Sequence, residues 1–373
     1  MTGLLSDVMH ERAEGLERTA VDVAGIVREG DKRVRRRRTV ALGGAAALTL
    51  AVAVAVPAVV GGGGPGDDTT VIDPDVAAAF VAHAPSYAVG SAITVDGITF
   101  DVGRTVRAYV QTDVGIVFSD AEGSVWAANG ADVTEVGTVN AKVPRLVADG
   151  SRVGWVEPGD PPAFVVYDQA TGETVRDPLQ NVAGMSDVRD GKDAAVVYAL
   201  DGDVAYVKTQ QGAAAWNTAT GDLTFLDTEA NGFTITDAKN GLIAYQPAGA
   251  EDDPVIRVGK TLDSGTEIAL WAAYDLSPDG RYLMGEAESD DVRIFDTGTG
   301  EAMPKDDYGY AYFGGYQWID SQHYAALGFH EPFESDLVDI LSCTVVTGVC
   351  TPVAEDVGSI GDGLAIPIGI YNS

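Results

Sequence analysis

Two cysteines, four histidines and one dense run of aromatic rings are the residues of this chain whose types and spacing suit chemistry. Cys343-Thr-Val-Val-Thr-Gly-Val-Cys350 reads as two strand ends joined by a turn near Val346-Thr347. That register sets the two cysteines opposite each other, within the ~4.4–6.8 Å Cα separation of a disulfide. The loop so closed is short, so the bridge adds at most roughly 2–3 kcal/mol in the chain-entropy account. Two buried thiols are the alternative, and an oxidising compartment favours the bridge.

The histidines do not assemble a metal centre by spacing. His10 and His83 stand apart, and His330-Glu331 with Glu334 offers nitrogen and oxygen ligands without a zinc pattern. Glu251-Asp252-Asp253 and Glu288 with Asp290-Asp291 lack the alternating acids and glycine of a calcium loop, and read as solvated turns. Gly184-Met-Ser186-Asp-Val188 has no second glycine, so it is no nucleophile elbow. No phosphate loop and no dinucleotide fingerprint occurs. The sequence therefore nominates no catalytic residue, no metal ligand and no cofactor.

The run Tyr308-Gly-Tyr310-Ala-Tyr312-Phe313-Gly-Gly-Tyr316-Gln-Trp318 is the most unusual local feature. Placed on an innermost strand, Tyr310, Tyr312, Tyr316 and Trp318 would line an axial funnel and stack on a ligand. Packing between neighbouring sheets is the competing reading, because alternation sends successive rings to opposite faces.

The elements that position these residues are strands. Beyond residue 85 short hydrophobic runs alternate with Gly, Asp and Asn turns, and glycine is abundant, at 45 residues. Turns fall at Asp113, Asp149, Asp190, Asn240, Asp279 and Asp320. Their spacing averages close to the period of a four-stranded propeller blade, about 40–45 residues. The sharpest copy runs Leu276-Ser-Pro-Asp-Gly-Arg-Tyr-Leu283, then Val292-Arg-Ile-Phe-Asp296-Thr-Gly-Thr299-Gly300-Glu301.

This turn and its Thr-Gly-Glu hairpin resemble those of TolB-like and WD-repeat propellers, over about residues 85–373. The resemblance implies an all-β propeller of four-stranded blades. A hairpin over Tyr87–Val102 and a strand near Leu364–Ile368 would complete a seventh blade, two N-terminal strands joining one begun at the C-terminus. Six blades is the alternative.

Charge divides the chain. Residues 1–38 hold nine basic and seven acidic side chains; residues 39–373 hold 15 and 49, a net of −34. Acidity of that size excludes a general nucleic-acid binder. Lys32, Arg33, Arg35, Arg36, Arg37 and Arg38 directly precede Thr39–Val60, 22 residues without a charge. Such a run spans a bilayer, and the basic block keeps the N-terminus in the cytoplasm. A cleaved export signal is the rival, against which the long leader and long apolar run weigh. The expected order is a basic tail over 1–38, a membrane helix over 39–60, a linker over 61–84 and an extracytoplasmic domain over 85–373. With this anchor the whole resembles the membrane-anchored propellers common in actinobacteria.

Thr19-Ala-Val-Asp22 starts a helix in the tail, which either lies on anionic lipid or docks a partner such as a sigma factor. Three functions follow. A non-catalytic binding or sensing module for an unknown extracytoplasmic ligand comes first. A transmembrane regulator working through the tail is second, and a propeller-type hydrolase or lyase is third.

Overall fold

Valine, isoleucine, tyrosine and alanine in short runs, each closed by a glycine turn, build strands rather than helices. The computed structural model describes residues 74–178, 195–209, 211–227, 233–247, 250, 254–287, 292–306, 309–330, 337–359, 361 and 363–370. The expected membrane helix over 39–60 and the basic cluster Lys32–Arg38 lie outside them. Among the described residues no helix is long and apolar enough to cross a membrane.

One helix, α1 (Pro74–Val81), precedes the strands. Seven sheets follow. The first blade joins β1 (Ser86–Val89), β2 (Ala92–Val95) and β3 (Ile98–Asp101) to β27 (Leu364–Ala365), its innermost strand. Blade 2 holds β4 (Ala108–Thr112), β5 (Gly115–Ser119), β6 (Ser124–Ala128) and β7 (Val133–Thr138). In blade 3 these are β8 (Val147–Asp149), β9 (Arg152–Glu157), β10 (Ala163–Asp168) and β11 (Glu173–Pro178). Blade 4 comprises β12 (Val196–Asp201), β13 (Val204–Thr209), β14 (Gly212–Asn217) and β15 (Leu223–Phe225). Blade 5 has β16 (Thr234–Lys239), β17 (Leu242–Gln246), β18 (Ile256–Gly259) and β19 (Thr266–Ile268).

Blade 6 keeps three strands, β20 (Ala272–Leu276), β21 (Tyr282–Glu286) and β22 (Val292–Asp296). Its fourth is an irregular stretch in which Ala302 bridges Phe295 and the Met303 amide donates to Ile294 O at 2.8 Å. Blade 7 consists of β23 (Tyr312–Trp318), β24 (His323–Phe329), β25 (Asp339–Thr344) and β26 (Cys350–Ala354). The fold is a seven-bladed all-β propeller.

Two details differ from the sequence expectation. Three N-terminal strands, not two, join the closing blade, because Gly90-Ser91 turns the chain within a run that reads as one strand. Asp190 lies outside the described residues, and the matching hairpin of blade 4 turns at Asp201-Gly202-Asp203. The hairpin turns on an Asp-Gly pair that directly follows β12.

Seven apolar cores separate seven blades, one per junction. Trp155, Phe164, Trp216 and Tyr245 are fully buried in them. Each such ring contributes roughly 1.5–3 kcal/mol by leaving water. α1 buries Val76, Ala79 and Phe80 at the junction of blades 1 and 2, against Val95, Ile98 and Tyr109.

The outer hairpins repeat one design. Asp168, Asn217, Asp296 and Thr344 each accept, on the carbonyl, the amide of a glycine four residues on, at 2.8–2.9 Å. Those glycines, 172, 221, 300 and 348, have φ of +75°, +80°, +75° and +68°, which the missing Cβ permits. The preceding threonine then takes the next amide on Oγ1, as with Thr171 and Glu173 at 3.2 Å.

Candidate functional site

Innermost strands line the axis of a propeller, so their polar side chains are the first place to look. In blades 2 and 3 these strands pair regularly with their neighbours. In blades 4 to 7 each is broken by a bulge, at Tyr198, Thr236, Tyr274-Asp275 and Tyr316. An extra residue bends the strand and re-aims the side chains beside it. Following or within the bulges stand Ala199, Asp237, Asp275 and Gln317, on four consecutive innermost strands.

Three carboxyls and two cations gather there. Lys239 donates to the Asp149 carboxylate and to the carbonyls of Ala148 and Leu200, at 3.3 and 3.4 Å, so blade 5 reaches blade 3 past blade 4. Asp237 accepts the Leu276 amide of blade 6 on Oδ2 at 2.7 Å. Arg145 donates to Tyr198 O at 3.4 Å and attracts the Asp275 carboxyl.

Burial is the main force on Asp275. It pushes the carboxyl up to about 7, the Asp237 charge adds to the rise, and Lys239 and Arg145 oppose it. For Lys239 burial favours the neutral amine, but the charges of Asp237 and Asp149 outweigh it and hold the ammonium above its usual range. Burial likewise pushes the neighbouring Asp237 carboxyl above its usual range, against the Lys239 charge and the Leu276 amide, so both acids hold a proton more readily than they would in water. The cluster can therefore exchange a proton near neutrality and offer oxygen acceptors to a polar ligand.

On one face of the ring, where first and second strands are joined, the turns latch blade to blade. The Gly202 amide donates to Asp149 Oδ2 at 2.7 Å, and the amides of Asn240 and Gly241 donate to the two Asp201 oxygens at 3.1 and 2.7 Å. Asn240 Nδ2 continues to Asp279 O at 2.9 Å. His83, ahead of β1, meets Asp113 at 2.7 Å on the same face.

The opposite face, where crossovers enter each blade, holds the exposed rings. Trp271 and Tyr274 belong to the innermost strand of blade 6 or its approach, and Tyr312 opens that of blade 7. They are 47%, 37% and 38% exposed. The Tyr274 hydroxyl donates to Glu286 Oε2 at 3.0 Å.

The four rings singled out by sequence fall in separate places. Tyr316, 4% exposed, packs between blades 7 and 1 and donates to Ser86 O at 3.2 Å. Trp318, 8% exposed, packs between blades 6 and 7 and donates to Asp275 O at 3.1 Å. Tyr312 meets the edge of Phe329 at the crossover face. Tyr310 lies against Gly328, where a Cβ would stand 2.7 Å from its ring. The bulge at Tyr316 explains the division of the strand's rings.

Tyr310 also joins a small polar group. Its hydroxyl and His330 Nε2 both meet Asp339 Oδ2 at 2.8 Å, and the Asp356 amide donates to Oδ1 at 2.9 Å. Burial alone would raise the Asp339 carboxyl; these donors hold it below its usual range. The Tyr310 phenol is pushed up to about 12, by burial first and then by the Asp339 bond. Glu331 and Glu334, weighed as ligands beside His330, lie outside the described residues. So do Ser186 and the acid groups at 251–253 and 288–291. Among the described residues no group of three potential metal ligands converges.

Cys343 and Cys350 form a disulfide across β25 and β26, with Cα atoms 3.9 Å apart. The neighbouring Thr344 amide donates to Val349 O at 2.8 Å, so the cysteines occupy the non-hydrogen-bonded pair, where side chains come closest.

No protein-family model and no curated protein matches the chain. Solved structures similar to it include the computationally designed Ika8 protein, at 14% identity and TM-score 0.45, over 73% of this chain and 84% of that one. BamB from Moraxella catarrhalis is 14% identical with TM-score 0.40, covering 75% and 90%. A TolB protein from Agrobacterium tumefaciens is 11% identical with TM-score 0.37, covering 77% and 97%.

Proposed function

We propose that the chain is a membrane-anchored, extracytoplasmic propeller acting as a non-catalytic binding or sensing module, with its ligand taken at the axial funnel. The observation that carries this reading is the series of four bulges in consecutive innermost strands. Single bulges also interrupt the outer strands of blades 2 and 7, but the innermost strand carries one in four neighbouring blades, a repetition that supports side chains aimed for contact rather than for sheet stability. The exposed rings at the crossover mouth supply apolar surface, and the charged cluster deeper in supplies polar groups. That combination is the usual make-up of a recognition site.

Support for the anchor comes from the sequence: 22 uncharged residues directly after a basic block. The tail before it is a second place for a partner, and the regulator reading rests there.

Two measurements test the proposal. External protease on intact cells should degrade the region after Gly61 and spare residues 1–38; protection of the domain would reject the topology. A photo-cross-linking amino acid at Tyr312, on the funnel mouth, should trap a ligand in cells. The same probe at Val353, on the outer edge of blade 7, should not. Equal trapping at both, or none at the mouth, would sink the binding site.

A further inference from the structure

We infer that the crossover mouth between blades 6 and 7 takes a basic peptide segment, its lysine or arginine heads seated on Trp271, Tyr274 and Tyr312 beside the Glu286 carboxylate. The inference rests on the binding-module reading and names the chemistry of its ligand.

Geometry comes first. The Trp271 amide donates to Glu286 O at 2.9 Å, which fixes the ring's backbone at the crossover end of β20. Tyr274 sits on the bulge of the same strand, and its hydroxyl reaches Glu286 at that end. Tyr312 pairs with Phe329 at the crossover end of β23, on the next blade. Of the other innermost strands, β4 is buried throughout and β12 and β23 in all but one residue, while β8 is half-buried and β16 is exposed at Thr234 and half-buried at Thr236 and Lys239. Along β20 the first four residues are half-buried or exposed. Blade 6 is thus open along most of its innermost strand, and there it presents rings.

Chemistry comes second. An aromatic face is electron-rich, and a carboxylate held beside it adds full charge; together they suit an ammonium or guanidinium group. The fold already uses such contacts, with Arg104 lying 3.6 Å over the Trp126 ring and Lys305 5.0 Å over Phe313. The region beyond residue 38 carries a net charge of −34, which repels acidic ligands and steers cations in from a distance. A peptide matches the surface better than a lone cation, because three rings on two blades offer several seats.

The test uses the full chain in nanodiscs of uncharged lipid. Fluorescent tetra-arginine and tetra-lysine peptides are titrated at physiological salt and followed by anisotropy. Saturable binding is expected, weakened about tenfold by Trp271→Ala and by Tyr312→Ala. Trp271→Phe should keep most of the affinity, which guards against a misfolded alanine variant. Glu135→Gln and Glu173→Gln, both exposed and far from the mouth, should leave it unchanged. Equal loss in these remote variants would mean diffuse charge attraction and overturn the site.

Spermidine binding as tightly as the peptides would overturn the peptide assignment. A neutral oligosaccharide that binds through Trp271 where basic peptides do not would overturn the basic ligand class alone. Cross-linking at Tyr312 without peptide binding would likewise leave the module standing and remove only this inference.

Discussion

Lys239 and Asp149 are paired between innermost strands, although blade 4 stands between their blades. The ammonium is held by one carboxylate and two carbonyls, and the carboxylate also accepts the Gly202 amide. Three blades therefore share one ion pair.

Removing one partner leaves the other largely buried and without its counter-charge. Lys239→Met should cost about 3 kcal/mol, seen as a lower urea midpoint. The double change Lys239→Met with Asp149→Asn should cost less than the two single changes added together. Strict additivity would show that the pair does not act as a unit.

Asp275 gives stability a definite pH slope. Its folded value of about 7 lies above that of the unfolded chain, so the folded state holds the proton more tightly between about pH 4 and 7. The stability this proton brings is full at the acid end and is lost as pH rises through about 7. Asp275→Asn should flatten that part of the melting-temperature profile. Parallel profiles for parent and variant would rule the assignment out.

Asp339 works with the opposite sign. Its folded value is lowered, so its contribution is present above the unfolded value and disappears as pH falls through the folded one. Asp339→Asn should cost about 2 kcal/mol at pH 7, with the gap to the parent narrowing in acid. Chemical denaturation at both pH values measures it.

Four alanine variants separate packing from exposure. Tyr316→Ala and Trp318→Ala should each cost roughly 3–5 kcal/mol, as buried rings do. Tyr312→Ala should cost under about 1 kcal/mol, because much of its ring already faces water. Tyr310→Ala should fall between, losing the Asp339 bond as well as a contact. A large loss for Tyr312 would contradict its placement.

The blade number, the Thr-Gly hairpins and the cysteine pairing are legible because each depends on local spacing. Turns recurring at blade-length intervals, and a Cys343–Cys350 loop just long enough for a tight hairpin, leave few alternatives. The axial cluster is not legible, since a single extra residue in a strand barely disturbs hydrophobic alternation. Asp237 and Asp275 read as ordinary strand ends until pairing shows what they face. A weak signal exists: Tyr198, Thr236 and Tyr274 are evenly spaced along the chain, each after a small or branched apolar residue. The turn of blade 4 escapes the sequence because Asp190-Gly191 and Asp201-Gly202 are equally good turn pairs, and only strand register chooses between them.

Blade 1 carries a consequence for the order of events during synthesis. Val89 pairs with Leu364 and Ala88 with Ala365, partners from opposite ends of the domain's sequence. The ribosome must deliver blades 2 to 7 before this sheet can receive its innermost strand. Until then β1 presents an unpaired edge toward the axis, open to any extended segment that passes. The nascent domain is thus an open arc with one adhesive end, and a factor guarding that edge during synthesis would shield the site where premature pairing is easiest.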